Sequence, residues 1–180
     1  LHNLFYINQQ VAYSLLFRAV GKTIIQCAKN TEYLGVQAGA VCLLHTWGQT
    51  LTYHPHIHCI VPAGGLSEDG MEWIRSAKTF FVPVKVLSAV FRGVLCRLIE
   101  DAINKGEIKL PHDTANFQVL KTKCYDKKWV VYAQKPFSSA DNLIRYLGNY
   151  THRVAISNHR IIDYKDSKVT FYYKDNKAGG

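Results

Sequence analysis

Apolar side chains recur at Val11, Leu15, Leu16, Ala19, Val20, Ile24 and Cys27, close to the spacing that places residues on one helical face. The spacing predicts a long helix over residues 9–32, stopped at Leu34-Gly35. Residues 36–46 turn β-rich in their second half and Trp47-Gly48-Gln49 reads as a turn. Residues 51–61 then form a second extended run closed by Pro62 and Gly64-Gly65, so the two runs predict a hairpin. Residues 71–74 read as a short strand and residues 84–104, ending before Gly106, as a second buried helix. Residues 117–123 and 128–134 flank the polar stretch 124–127 and predict a second hairpin. Ser138, followed by Asp141, resembles a helix-start pair, which makes residues 139–151 a helix. Extended segments are expected at 154–157, 159–164 and 169–174, with turns at Asn158 and Asp166-Ser167. Strands paired by short turns and interleaved with single helices predict an α+β fold: an antiparallel-rich central sheet with packed helices, in one domain over residues 1–180.

Composition agrees with a folded domain, since 180 residues at 48% hydrophobic and 19% charged can bury a core without disulfides or structural metal. Charge adds a partner. Twenty-two Lys and Arg against 13 Asp and Glu leave +9, a footprint expected of a polyanion binder such as nucleic acid. The excess is uneven: residues 1–110 carry ten basic and seven acidic side chains, residues 111–180 twelve and six. Five widely spaced cysteines with no Cys-x-x-Cys pair fit reduced, partly buried thiols in a cytosolic protein. The longest apolar run, residues 36–44, falls well short of the roughly 18 residues a membrane span needs. No charged-then-apolar leader opens the chain, so no membrane partner is expected. With Leu1 first and Gly179-Gly180 last, the chain reads as a segment of a longer protein.

Four of the eight histidines fall between residues 45 and 58: His45, His54, His56 and His58. On a strand, His56 and His58 project from one face, and His54 joins them if Pro55 does not break the pleat. An isolated His-x-His is ordinarily the solvated face of a half-buried strand. Three histidines in five positions, directly before an apolar run, instead point to a divalent-cation site. The third ligand is then His54, Gln49 or His45 from across the hairpin.

Tyr146 and Tyr150 are four residues apart, so a helix places both phenols on one face. Leu143, Tyr146, Leu147 and Tyr150 also make an ordinary core stripe, and spacing alone favours that simpler reading. A phenol with a pKa of about 10 attacks phosphorus when a metal polarises the phosphate and nearby cations favour phenolate. Arg145, Arg153 and lysines of the preceding segment are candidates for that field. Together, a His-x-His strand, a tyrosine pair and a basic surface are the parts needed to cut DNA by transesterification.

At these residues the chain resembles the HUH-type two-tyrosine rolling-circle transposases of the insertion sequence ninety-one family. The resemblance is carried by Leu43-Leu44-His45-Thr46-Trp47-Gly48-Gln49, by His54-Pro55-His56-Ile57-His58 with Val61-Pro62-Ala63-Gly64-Gly65, and by Tyr146-Leu147-Gly148-Asn149-Tyr150-Thr151-His152-Arg153. Weaker similarity runs from about Leu4 to the end. The resemblance implies an HUH endonuclease-like fold, His56 and His58 as the metal pair, and Tyr146 and Tyr150 as nucleophiles. It further implies Mg²⁺ or Mn²⁺, single-stranded DNA at transposon ends, and a 5′-phosphotyrosine intermediate that releases a 3′-hydroxyl. The motif leaves the third ligand open, with His54 ranked ahead of Gln49 and His45. Family members look longer at both ends, so residues 1–180 read as a catalytic domain truncated on both sides, from a DNA-associated protein of the bacterial cytoplasm.

Lys121, Lys123, Lys128, Arg153 and Arg160 are the expected grip on the DNA backbone. Two other functions use the same residues differently. A non-enzymatic single-strand binder would stack bases on Trp47, Tyr53, Tyr125 and Trp129, and a metal-dependent hydrolase would activate water at the histidines and tolerate loss of both tyrosines. A replication initiator or relaxase would share the transesterification chemistry and differ in the DNA sequence cut.

Overall fold

The computed structural model describes residues 1–48, 50–76, 81–151 and 155–174; the side chains of Asn149 and Tyr150 are outside that set. The chain falls into two compact units. Unit one comprises Leu1–Cys42 with Ile57–Pro136, and unit two Leu43–His56 with Phe137–Gly180.

Unit one is built on helices. α1 (His2–Ile7) is followed by α2 (Gln9–Lys29), whose buried stripe keeps the expected Leu15, Leu16, Ala19, Ile24 and Cys27 and adds Ala12, Thr23 and Ala28, while the expected Val11 and Val20 are half-buried. Asn8 sits at the break between them. Its Nδ2 donates to Leu4 O and Lys109 O at 2.8 Å each, and its Oδ1 accepts from Lys109 N at 2.9 Å. The α2 stripe packs on α3 (Val84–Asn104), which buries Val94, Leu95, Cys96, Leu98, Ile99 and Ala102. Each fully buried Leu or Ile contributes about 1.5–3 kcal/mol, so this helix pair supplies much of the unit's stability. α3 ends where its sequence says it should. Gly106 takes φ +73, Gly106 N donates to Ile103 O at 2.9 Å and Glu107 N to Ala102 O at 2.9 Å, which satisfies two terminal carbonyls.

The second hairpin expected around 124–127 is not formed: residues 117–126 are helical, as α4 (Phe117–Asp126). Asn116 caps it, its side chain accepting from Val119 N at 3.1 Å. Phe117 and Cys124 are buried seven residues apart, a helical repeat. Residues 128–137 follow without regular structure.

The strands differ from the expected central sheet. Among the described residues they pair two by two, as β1 (Val41–Trp47) with β2 (Tyr53–Ile60), β3 (Gly64–Leu66) with β4 (Trp73–Arg75), and β5 (Ile161–Lys165) with β6 (Lys168–Phe171). Each ribbon is joined by a connection too short for a crossover, so its strands run antiparallel and find each other at small loop-closure cost. The β1–β2 turn is held by Gly48 N donating to Thr52 O at 3.0 Å and Leu51 N to Gly48 O at 3.1 Å, with Leu51 at φ +58. Gly64-Gly65, expected to close the second run, instead opens β3. A Cβ at Gly65 would collide with the Gln37 carbonyl, which accepts from Leu66 N at 3.0 Å.

In unit two, α5 (Ala140–Thr151) matches the expected helix within a residue. Its start is held by Ser139 in place of the expected Ser138–Asp141 pair: Ser139 Oγ accepts from Asn142 N at 3.3 Å, while Ser138 Oγ accepts from Asn142 Nδ2 at 2.9 Å. Ala155 to Ser157, part of an expected strand, is irregular, and Val154 lies outside the described residues. A 3-10 turn (Asn158–Arg160) leads into β5. Asp166 and Ser167 take φ +49 and +59 between β5 and β6, the left-handed pair that a tight two-residue hairpin requires. No helix among the described residues is long and apolar enough to cross a membrane.

Candidate metal centre

The β1–β2 hairpin sorts its side chains by the two-residue period of a strand. Leu43, His45 and Trp47 share one face of β1, and His54, His56 and His58 share one face of β2. Cys42 and Cys59 occupy the reverse face, with their sulfurs 3.7 Å apart.

On the first face, one ring nitrogen each of His45, His56 and His58 lies within 4.8 Å of the others. That is a three-imidazole set able to close on one ion, because ligands about 2.0–2.2 Å from a common centre are separated by roughly 3–4 Å. His45 is 6% exposed, and its ring stacks on Trp47 with centroids 5.2 Å apart and planes 15° apart. It meets His56 edge-on at 5.5 Å. His56 Nδ1 lies 2.7 Å from the His54 carbonyl oxygen. A carbonyl only accepts, so Nδ1 carries the proton and Nε2 is the ring nitrogen with the lone pair that a cation would use.

His54 is exposed, its ring 5.1 Å from that of His56, and it is not one of the three grouped histidines. The structure thus brings His45 to His56 and His58, where the sequence ranked His54 first. Gln49 lies outside the described residues. The donor chemistry fits a cation. Three neutral imidazoles are the donors that borderline ions such as Zn²⁺ or Fe²⁺ prefer, and of the two ions expected from the sequence Mg²⁺, which favours oxygen ligands and keeps its waters, is the poorer match. On the reverse face, burial and the Cys42 sulfur push the Cys59 thiol up to about 12, so it stays protonated at neutral pH.

Tyr146 lies on α5, half-buried, its ring 5.2 Å from that of Phe137. The outer part of the β1–β2 hairpin and α5 belong to the same compact unit. The side chain of Tyr150, and Arg153 altogether, lie outside the described residues.

The expected DNA-gripping residues occupy different settings. Lys121 Nζ is 2.8 Å from Glu100 Oε2 on α3, and that hydrogen bond raises its pKa. Lys123 on α4 and Lys128 beyond it are exposed. Arg160 is held by its own ribbon, Nε donating to Tyr172 O at 2.7 Å and the guanidinium lying 5.9 Å from the Phe171 ring centre. Trp129 proves structural: its Nε1 donates to Cys124 O at 2.8 Å and its ring meets Phe91 edge-on at 5.5 Å. Tyr125 stacks under Arg92, 4.5 Å from its guanidinium carbon.

Comparison with known proteins fits this arrangement. A family described as "Putative transposase" matches residues 39–180. The "Putative transposase y4qJ" of Sinorhizobium fredii is 41% identical over 180 residues, covering 97% of this chain and 45% of that protein. The "Transposase for insertion sequence element IS801" of Pseudomonas savastanoi pv. phaseolicola is 25% identical over 185 residues, covering 97% of this chain and 42% of that protein. The chain thus spans under half the length of these curated relatives. No solved structure matches. Since the family match takes in the histidine hairpin, α5 and the basic C-terminal part together, the chain belongs to this transposase family.

Proposed function

We propose that this chain carries the metal- and tyrosine-bearing part of a transposase that nicks and rejoins single-stranded DNA at transposon ends, in the manner of the rolling-circle, HUH-type enzymes it resembles. The observation that carries the reading is the grouping of His45, His56 and His58 on one face of the β1–β2 hairpin. Tyr146 on α5, in the same compact unit as the outer hairpin, supports it. A divalent cation held by these imidazoles, Mn²⁺ or Mg²⁺, would supply Lewis-acid polarisation of a phosphate oxygen.

The rest is done by side chains. The His54 carbonyl fixes the His56 tautomer, and the Trp47 ring holds the plane of His45. The Tyr146 phenol oxygen attacks the scissile phosphorus and loses its proton. The bond to the 3′ oxygen breaks, that oxygen leaves as a 3′-hydroxyl, and the 5′ phosphate stays on the tyrosine. Tyr150, one helical turn on, would hold a second strand end in the same way. Lys123, Lys128, Arg153 and Arg160 serve the DNA backbone, and Lys121 does so only when released from Glu100.

The test is adduct formation on a labelled single-stranded oligonucleotide carrying a transposon end, with Mn²⁺, resolved on a denaturing gel. The expected result is a covalent protein–DNA band lost in the Tyr146→Phe, Tyr150→Phe double variant. A band that persists in that variant overturns the nucleophile assignment. Cleavage with no band at all favours a hydrolase using activated water.

A further inference from the structure

The reverse face of the metal hairpin holds a feature that DNA transesterification does not use. Cys42 lies near the start of β1 and Cys59 near the end of β2, so they face each other at the base of the hairpin. Their sulfurs are 3.7 Å apart and both side chains are half-buried. The three other cysteines, Cys27, Cys96 and Cys124, are buried. A disulfide needs the sulfurs at about 2.05 Å, which side-chain rotation across adjacent strands can supply. The loop that such a bond would close contains His45, His56 and His58, yet the bond itself lies on the opposite face and touches none of their ring nitrogens.

We propose that Cys42 and Cys59 form an oxidative modification site, a disulfide clasp closed by peroxides, that locks β1 against β2 and pre-organises the histidine face. The first step oxidises one thiol: Cys42 and a peroxide give the Cys42 sulfenic acid and an alcohol, or water where the oxidant is hydrogen peroxide. The Cys59 sulfur then attacks the Cys42 sulfur as its proton passes to the Cys42 hydroxyl oxygen, so the sulfur–oxygen bond breaks and water leaves. Two thiols are oxidised by two electrons and one peroxide is reduced. Thiol reductants reverse the bond by exchange. The clasp holds the strands that carry the three imidazoles in one register, so the locked hairpin loses less freedom when it takes up a cation. This consequence rests on the metal reading above; the clasp itself does not.

The experiment uses the whole chain, metal-free, reduced and then treated with hydrogen peroxide. Peptide mass mapping of the wild type is expected to show one cross-linked pair, Cys42 with Cys59, reversed by dithiothreitol. Amide hydrogen exchange within residues 41–47 and 53–60 is expected to slow at least about tenfold on oxidation, and not to slow in Cys42→Ser or Cys59→Ala. The clasp is overturned by absence of that cross-link, by pairing with Cys27, Cys96 or Cys124, or by unchanged hairpin exchange in the cross-linked protein. Mn²⁺ titration of both forms then separates the two readings. Several-fold tighter binding by the cross-linked form supports the coupling, and equal affinity overturns it. Binding by neither form removes the metal reading and leaves the clasp standing on its mass map.

Discussion

The two compact units are made in opposite ways. Every buried apolar side chain among the described residues, from Leu4 to Cys124, lies in unit one. Unit two has a single buried side chain among its described residues, and it is His45. Its β5–β6 ribbon is exposed along nearly its whole length, including Ile162 and Tyr164. Unit one is therefore held by helix-on-helix burial of Leu and Ile, while unit two rests on turns, caps and hydrogen bonds such as Ser139 to Asn142 and Arg160 to Tyr172. The difference teaches where a ligand acts. A ligand that bound to unit two alone would change its stability far more, in proportion, than the same ligand would change that of a packed helical core.

The sharpest test of that contrast is a matched pair of truncations. Leu95→Ala in α3 should cost about 2–5 kcal/mol, because it empties a fully buried position. Ile162→Ala on the ribbon should stay within about 0.5 kcal/mol. Chemical denaturation of both variants compares them, and equal losses would show that the ribbon buries its face against something else in solution. Next in size, His45→Ala should weaken Mn²⁺ binding roughly a hundredfold, at or above the upper end for losing a metal-orienting group, whereas His54→Ala should cost much less because its ring is outside the grouped set. Isothermal titration of the two variants decides between them, and the reverse order would restore His54 as the third ligand.

Smaller effects are expected at the local devices. Asn116→Ala removes the α4 cap and should cost about 1 kcal/mol, read as a lower midpoint of thermal unfolding. Ser167→Gly relieves a left-handed backbone in the β5–β6 turn, worth roughly 1–2 kcal/mol, against about 0.4–1 kcal/mol of added freedom in the unfolded chain, so the ribbon should gain somewhat less than about 1 kcal/mol net, read as slower amide exchange confined to β5 and β6. Glu100→Gln leaves Lys121 without its ion pair and should move stability by about 1 kcal/mol or less, since both side chains are partly exposed and salt-screened. It should also strengthen DNA binding in a salt-dependent way by freeing a cation, which a salt titration of oligonucleotide affinity measures.

Much of this was legible along the chain where the information is local. The periodic stripe of α2, the span of α3 up to Gly106, the start of α5 at the serines and the turn at Asp166-Ser167 all follow from residue spacing and backbone preference. The common face of His56 and His58 also follows, because a strand repeats every two residues whatever surrounds it. α4 was not legible. Phe117 to Lys123 is short and mixed in pattern, and what makes it helical is the Asn116 cap and the burial of Phe117 and Cys124, the latter beside α3. Likewise, nothing in the chain order marks Lys121 as paired with Glu100, or Trp129 as a packing residue beneath α4.

The sequence by itself determined the two long helices, α5 and the tight turn between β5 and β6, which two histidines share a strand face, and that the chain carries a net positive charge. Only the tertiary structure decided that His45, eleven residues or more from His56 and His58 along the chain, groups with them, and that Cys42 meets Cys59 behind it. The physical reason is the same in both cases. Alternation assigns a side chain to a face, but which residue lies opposite it depends on the register between β1 and β2, and the turn at Gly48 to Thr52 sets that register.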